Sequence, residues 1–200
     1  MNPASEHARP SVLTGPGRLI VLSGPSGVGK DTVLQEVFKL DASLRRSVSY
    51  TTRPARPGEH DGSPYTFVDE TRFREMIARG EFLEWADVYG HLYGTSLERV
   101  RAALERGDDI VLKIDVQGAA SVRDQVGNDA VYVFLLPPSL DVLRQRLLDR
   151  DTEDPASLER RYANAVTELA EKDSYDHLVV NDDVERAARE IVSILRRHRG

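Results

Sequence analysis

The stretch RLIVLSGPSGVGKDTVLQEVFKL, residues 18–40, decides the fold. Its first six residues are short, apolar and partly β-branched. They break into GPSGVGKD and then into TVLQEVFKL, where Val33, Leu34, Val37 and Phe38 recur on one helical face. Strand, glycine loop and helix in that order are the context of a phosphate-binding loop. The loop Gly24, Pro25, Ser26, Gly27, Val28, Gly29 is mostly small because successive backbone N–H groups must turn inward around a β-phosphate, where side chains would obstruct them. Lys30 then reaches the β and γ oxygens. Asp31 departs from the motif, standing where it places the Ser or Thr whose hydroxyl ligates Mg²⁺. The expectation drawn from it is that Asp31 holds Mg²⁺ through a water while Thr32 bonds the α-phosphate. The plainer alternative is a glycine turn that only joins strand to helix.

Outward from this stretch, strands are expected near residues 46–50, 82–88, 109–114, 130–136 and 177–180. Helices are expected over 71–79, 96–106, 117–126, 140–148, 156–172 and 184–198. Runs such as IVLKI and VYVFLL are apolar without alternation, which implies strands covered on both faces. The fold class is therefore α/β, a parallel sheet covered by helices. Between residues 49 and 96 the texture changes, with Pro54, Pro57, Pro64 and the aromatics Tyr65, Phe67, Trp85, Tyr89 and Tyr93. A small mixed α+β lobe is expected there, inserted into a core of residues 18–48 and 97–200. Residues 1–17 hold three Pro, two Gly and no apolar period, and read as a flexible leader that adds little to the core.

Two hundred residues fit one domain, since single cores extend to roughly 250 residues. With 40% hydrophobic and 30% charged residues the chain is neither disordered nor fibrous. No run approaches the roughly 18 apolar residues of a membrane helix, and no signal core follows the N-terminus, so a cytoplasmic protein is expected. The absence of Cys excludes disulfides, thiolate zinc sites and cysteine nucleophiles, and the five His show no ligand-like pairing. A net charge of −6 does not point to nucleic acid or a membrane as partner, so phosphate chemistry must use local positive charge. Only Lys30, Lys39, Lys113 and Lys172 are lysines among the 27 basic residues, which singles each of them out.

The segment SVSYTTRPARPGEHDGSPYTFV, residues 47–68, sets Arg53 and Arg56 among hydroxyl donors and carries Tyr65. Two guanidinium forks and a phenol suit a phosphate monoester. This segment, together with EFLEWADVYGHLYGTS (residues 81–96) and IDVQGA (residues 114–119), closely resembles the guanylate kinases, and the resemblance runs from residue 18 nearly to the end. It implies a P-loop kinase fold in which the loop binds ATP with Mg²⁺, the inserted lobe binds GMP, and the reaction yields ADP and GDP. Motif by motif, it implies that Arg53, Arg56, Tyr65 and Tyr93 hold the GMP phosphate, and that Ser49, Glu84, Thr95 and Asp115 read guanine. The chemistry agrees, because guanine offers N–H donors at N1 and N2 to a carboxylate, whereas adenine offers an acceptor at N1.

Taken singly, each residue has a plainer place. Glu84 fits an exposed position of an alternating strand, Tyr65 and Tyr93 fit a lobe core, and Asp115 fits a helix cap. Downstream, VLRQRLLDRDTEDPASLERRY resembles the family's helical lid, about residues 149–161, with Arg146, Arg150 and Arg161 as its phosphate-contacting arginines. VVNDD, residues 179–183, resembles the segment beside adenine, with Asn181 as contact or, alternatively, as a helix cap. Lys113 stands where many relatives carry an acid and is given no role. Two rivals remain: a phosphopeptide-binding module of this fold, and a kinase for another phosphorylated acceptor such as a ribose bisphosphate. The intact Lys30 and the lack of further domains oppose the first. The base-reading set opposes the second.

Overall fold

A computed structural model of the protein describes residues 13–88, 90–149 and 155–199. Strand β1 (Leu19–Ser23) is buried at every residue and lies at the centre of a five-stranded sheet. The order is β10 (His177–Val180), β9 (Ala130–Leu136), β1, β8 (Asp109–Lys113), β2 (Leu44–Arg46), and every pairing is parallel. The pleat sends Ile20 and Leu22 to one face and Leu19 and Val21 to the other. The first face packs on α1 (Lys30–Leu40) and α7 (Val184–Arg197), through Val33, Leu34, Val37, Ile191 and Leu195. The second packs on α3 (Leu97–Glu105) and α4 (Val116–Val126), through Val100, Leu104, Ala119 and Val122. Burial on both faces explains the uninterrupted apolar runs.

A second sheet forms the lobe, in the order β4 (His60–Asp61), β5 (Pro64–Phe67), β3 (Ser49–Thr51), β7 (His91–Ser96), β6 (Phe82–Val88). It is mixed, with β7 antiparallel to both neighbours and β5 parallel to both of its own. Helix α2 (Glu70–Ala78) closes it, placing Phe73 and Met76 against Phe82 and Leu92. The single strand expected over residues 46–50 is two strands in different sheets. The Ser47 amide still bonds the Val111 carbonyl at 3.0 Å, and the chain then crosses from core to lobe. Strands β4 and β5 are additions to the expected set, and so is β7. Gly94 interrupts its pattern because a Cβ there would lie 2.8 Å from the Phe82 ring. The helix expected from residue 96 begins at Leu97, since the Ser96 hydroxyl accepts the Arg99 amide as its cap.

The core also begins earlier than expected. Leu13 is 7% exposed and packs in the cluster of α3 and β8, and the Gly17 amide donates to the Leu104 carbonyl at 3.0 Å. Residues 13–17 therefore belong to the folded body, while residues 1–12 of the expected leader lie outside the described residues. Leu13→Ala should cost about 2 kcal/mol and lower Tm by about 5 °C. An unchanged melting curve would return Leu13 to the leader.

Helices α5 (Leu140–Leu148) and α6 (Pro155–Ala170) pack through Leu143, Leu147 and Ala165. The segment expected as a lid falls partly on residues 150–154, outside the described residues. Among the described residues no helix is long and apolar enough to cross a membrane.

Candidate active site

The loop after β1 is braced from two sides. The Val28 carbonyl accepts from Asn181 Nδ2 at 2.8 Å and from Arg146 NH1 at 3.1 Å, and Arg146 NH2 reaches the Asn181 carbonyl at 3.0 Å. Gly29 turns into α1 at φ +97°, a left-handed conformation, and a Cβ there would stand 2.6 Å from Asn181 Nδ2. Only glycine fits this position. Asn181 is thus a buried strut beside the loop, and the cap of α7 is Asp183. Lys30 opens α1, and its ammonium donates to the carbonyls of Gly24 and Pro25. Burial lowers its pKa to about 8, a shift that Glu168 opposes and Lys113 deepens. Glu168, on α6, accepts the Ser26 amide at 2.8 Å. Every residue from Pro25 to Thr32 lines a cavity of about 520 Å³, shared with Tyr93, Lys113, Arg146, Asp149 and Asn181.

A second cavity, of about 190 Å³, lies between lobe and core and is lined by Ser49, Tyr65, Glu84, Tyr93 and Asp115. Ser26, Lys30, Tyr93 and Lys113 line both cavities, so the two share a wall. Glu84, on β6, is only 5% exposed, and the buried Thr95 hydroxyl of β7 donates to its Oε1. Burial pushes its pKa up to about 7, with Thr95 opposing and Asp115 adding to the shift. Asp115 caps α4 by accepting the Gly118 amide at 2.8 Å, so the plain alternative for that residue holds alongside its place in the cavity. Glu84 is not the exposed carboxylate that strand alternation allowed.

Gly118 makes the Glu84 position possible. A Cβ at residue 118 would lie 2.7 Å from Glu84 Oε2. In an ordinary helix Gly→Ala would stabilise by roughly 1 kcal/mol, but here the added methyl must displace the carboxylate. Gly118→Ala is expected to raise the KM for the acceptor several-fold and to leave that for the donor nucleotide unchanged. Steady-state kinetics with each substrate varied in turn would check this.

Tyr65 and Tyr93 meet edge to face at 5.8 Å between centroids. Arg53 lies over the rings of Tyr65 and Phe67 at 5.5 and 5.7 Å, held by Glu59 at 2.9 Å. Burial of Arg56 is slight, and its backbone amide donates to the same Glu59 carboxylate at 2.8 Å. Neither arginine lines the cavities in this arrangement. Arg161 lies on α6 and also lines neither cavity, and Arg150 lies outside the described residues.

The structure does not fit the expectation that Asp31 holds magnesium. Lys113 Nζ contacts both Asp31 carboxylate oxygens, at 2.8 and 2.9 Å, and Arg46 NH2 adds a third bond at 2.9 Å. Partial burial works against ionisation, but Lys113 and then Arg46 outweigh it and hold the Asp31 carboxyl below its ordinary range. A carboxylate already engaged by two cations is a poor partner for a hydrated dication. Among the described residues no group of three His, Asp or Glu is placed to hold a metal.

Sequence reasoning missed Glu168, Glu59, Arg46 and the partnership of Lys113. Lys113 carried a readable signal: it is the last residue of a strand paired directly with β1, Leu22 opposite Lys113, and parallel sheets place their sites at the carboxyl ends of strands. Glu168 carried none, since it lies far along the chain on an amphipathic helix.

The guanylate kinase family model matches residues 16–198. A guanylate kinase of Alkalilimnicola ehrlichii is 46% identical over 186 residues, covering 92% of this chain and 91% of the relative. One of Thermotoga maritima is 47% identical over 183 residues, covering 92% and 88%. The crystal structure of guanylate kinase from Anaplasma phagocytophilum superposes with a TM-score of 0.78 at 33% identity, covering 94% of this chain and 89% of that one. The phosphate loop, the inserted lobe and the buried carboxylate between lobe and core thus sit in a chain that shares nearly half its residues with the first two of these proteins and its fold with the third, and it belongs to the guanylate kinase family.

Proposed function

We propose that this protein transfers the γ-phosphoryl group of ATP to GMP, giving ADP and GDP. ATP occupies the loop cavity and GMP the cavity between lobe and core. The observation that carries this reading is Glu84, a carboxylate buried with a hydroxyl partner at the end of a pocket whose other wall is the phosphate loop. A buried acceptor-only group demands a donor, and guanine N1–H and N2–H supply one where adenine presents an acceptor. Ser49, Thr95 and Asp115 complete the base-reading set, and Arg53, Arg56, Tyr65 and Tyr93 take the GMP phosphate. Asn181 faces the donor side, beside adenine.

Transfer is in line, from the γ-phosphorus to a GMP phosphate oxygen already largely ionised at pH 7, so neither a covalent enzyme intermediate nor a general base is required. Lys30 and the arginines Arg146, Arg150 and Arg161 offset charge on the group in flight. For Lys30 this means leaving the carbonyls of Gly24 and Pro25 for phosphate oxygens. ATP would be taken as its Mg²⁺ complex, the cation supplying charge neutralisation and being held mainly through the nucleotide and water. The partners are small nucleotides, and the cytoplasm is where they meet the enzyme.

Measuring ADP release with GMP, AMP, UMP, CMP and ribose bisphosphate in turn tests the assignment. GMP should exceed AMP by at least about 10²-fold in kcat/KM, because AMP turns the N1 acceptor of adenine, in place of the guanine N1–H, toward Glu84. Comparable release with ribose bisphosphate would replace the assignment, and binding without release would favour a recognition module.

A further inference from the structure

Lys113 is spoken for by nothing in the reaction as described, yet it occupies the wall common to both cavities. Its side chain is largely buried, and its ammonium makes three bonds: two to Asp31 and one, at 3.2 Å, to the Tyr65 hydroxyl. An ion pair whose carboxylate is half exposed contributes little stability. What the pair does is fix a cation at a defined place, beside Lys30 and against a phenol that belongs to the phosphate side of the GMP pocket. Asp31 balances Lys113 and Arg46, and of these two cations Lys113 alone joins Lys30 in the wall shared by the two cavities. A phosphate arriving at the Tyr65 hydroxyl enters the reach of the Lys113 ammonium, whose bond to the phenol it can take over.

We propose that Lys113 binds the phosphate of the acceptor nucleotide and that Asp31 is a positioning residue that aims its ammonium. This rests on the kinase reading above. It gives both residues a common purpose: the carboxylate in the loop serves the lysine, and the lysine serves the phosphate.

The test varies GMP and ATP separately for the wild type, Lys113→Met, Lys113→Arg, Asp31→Asn and the double variant Asp31→Asn with Lys113→Met. Lys113→Met should raise the KM for GMP by about tenfold or more, the loss expected of a charge-assisted bond, and shift that for ATP less than threefold. Lys113→Arg should recover part of that loss. Asp31→Asn should move the KM for GMP in the same direction by a smaller factor, and the double variant should be no worse than Lys113→Met alone, since a positioning residue has nothing left to position. Calorimetric titration of GMP onto each variant reads the same contact without turnover. A wild type that bound GMP but transferred nothing would overturn the kinase reading, while the ratio of Kd values between wild type and Lys113→Met would still decide this one. Kinetic constants and Kd for GMP within twofold of wild type in a folded Lys113→Met protein would overturn the proposal and leave a structural ion pair. Additive losses in the double variant would overturn the positioning role of Asp31.

Discussion

Lys30→Met should reduce kcat for GMP phosphorylation by about 10²-fold or more, since removing one transition-state charge donor typically costs ~3 kcal/mol. The fold should not suffer. Lys30 is buried and its folded-state pKa is lowered to about 8, so the native state disfavours its charge. That cost is fully present below pH 8 and is relieved as pH rises from about 8 toward the ordinary lysine value of 10.5. Wild-type stability should therefore gain a contribution with rising pH across that window, and the methionine variant should lack it. Thermal melts at pH 7 and pH 9 would show this. ATP binding near pH 8 should also take up protons, because nucleotide phosphates favour the ammonium. Near-normal turnover in a folded Lys30→Met protein would remove Lys30 from phosphoryl transfer.

Glu84→Gln should lower kcat/KM for GMP by about 1–3 kcal/mol, or roughly 5- to 150-fold, with the KM for ATP nearly unmoved. The pH profile makes the prediction sharper. Burial holds the Glu84 pKa at about 7, so in the free enzyme the carboxylate proposed to read guanine is only partly formed at neutrality. The kcat/KM for GMP should rise as pH rises through 7. The GMP phosphate titrates near 6 and contributes its own step, but Glu84→Gln keeps that step and loses the one at 7. In the unliganded protein the same raised pKa acts in the opposite sense, since stability conferred by the protonated form is lost as pH climbs from the carboxylate value of 4.5 to about 7. A variant with an unchanged profile would place Glu84 in the scaffold.

The core of the fold was legible because its signals are local or periodic. LIVLS, AVYVFLL and the loop between β1 and α1 are contiguous in the chain and mean the same thing wherever they occur. The lobe was harder to read. Its strands are short, Gly94 breaks the pattern of β7, and the turn from β2 to β3 leaves no residue that marks a change of sheet. In the site, Glu84 was recognised by resemblance, but its burial depends on Gly118 being glycine, a relation across 34 residues that composition cannot reveal. The setting of Asp31 rests on a relation of the same kind. Its chemistry suggested a metal, and only the fold brings Lys113, 82 residues away, onto both of its oxygens.

On the proposed reading of the site, acceptor choice in this protein does not travel as a cassette. Glu84 and Thr95 come from the lobe, but the floor they rest on, Asp115 and Gly118, is the first turn of a core helix. A lobe excised or grafted onto another kinase of this fold would carry the carboxylate without the gap that receives it, and would meet whatever side chain the host keeps at the start of that helix. The base pocket is thus built from residues on both sides of the seam.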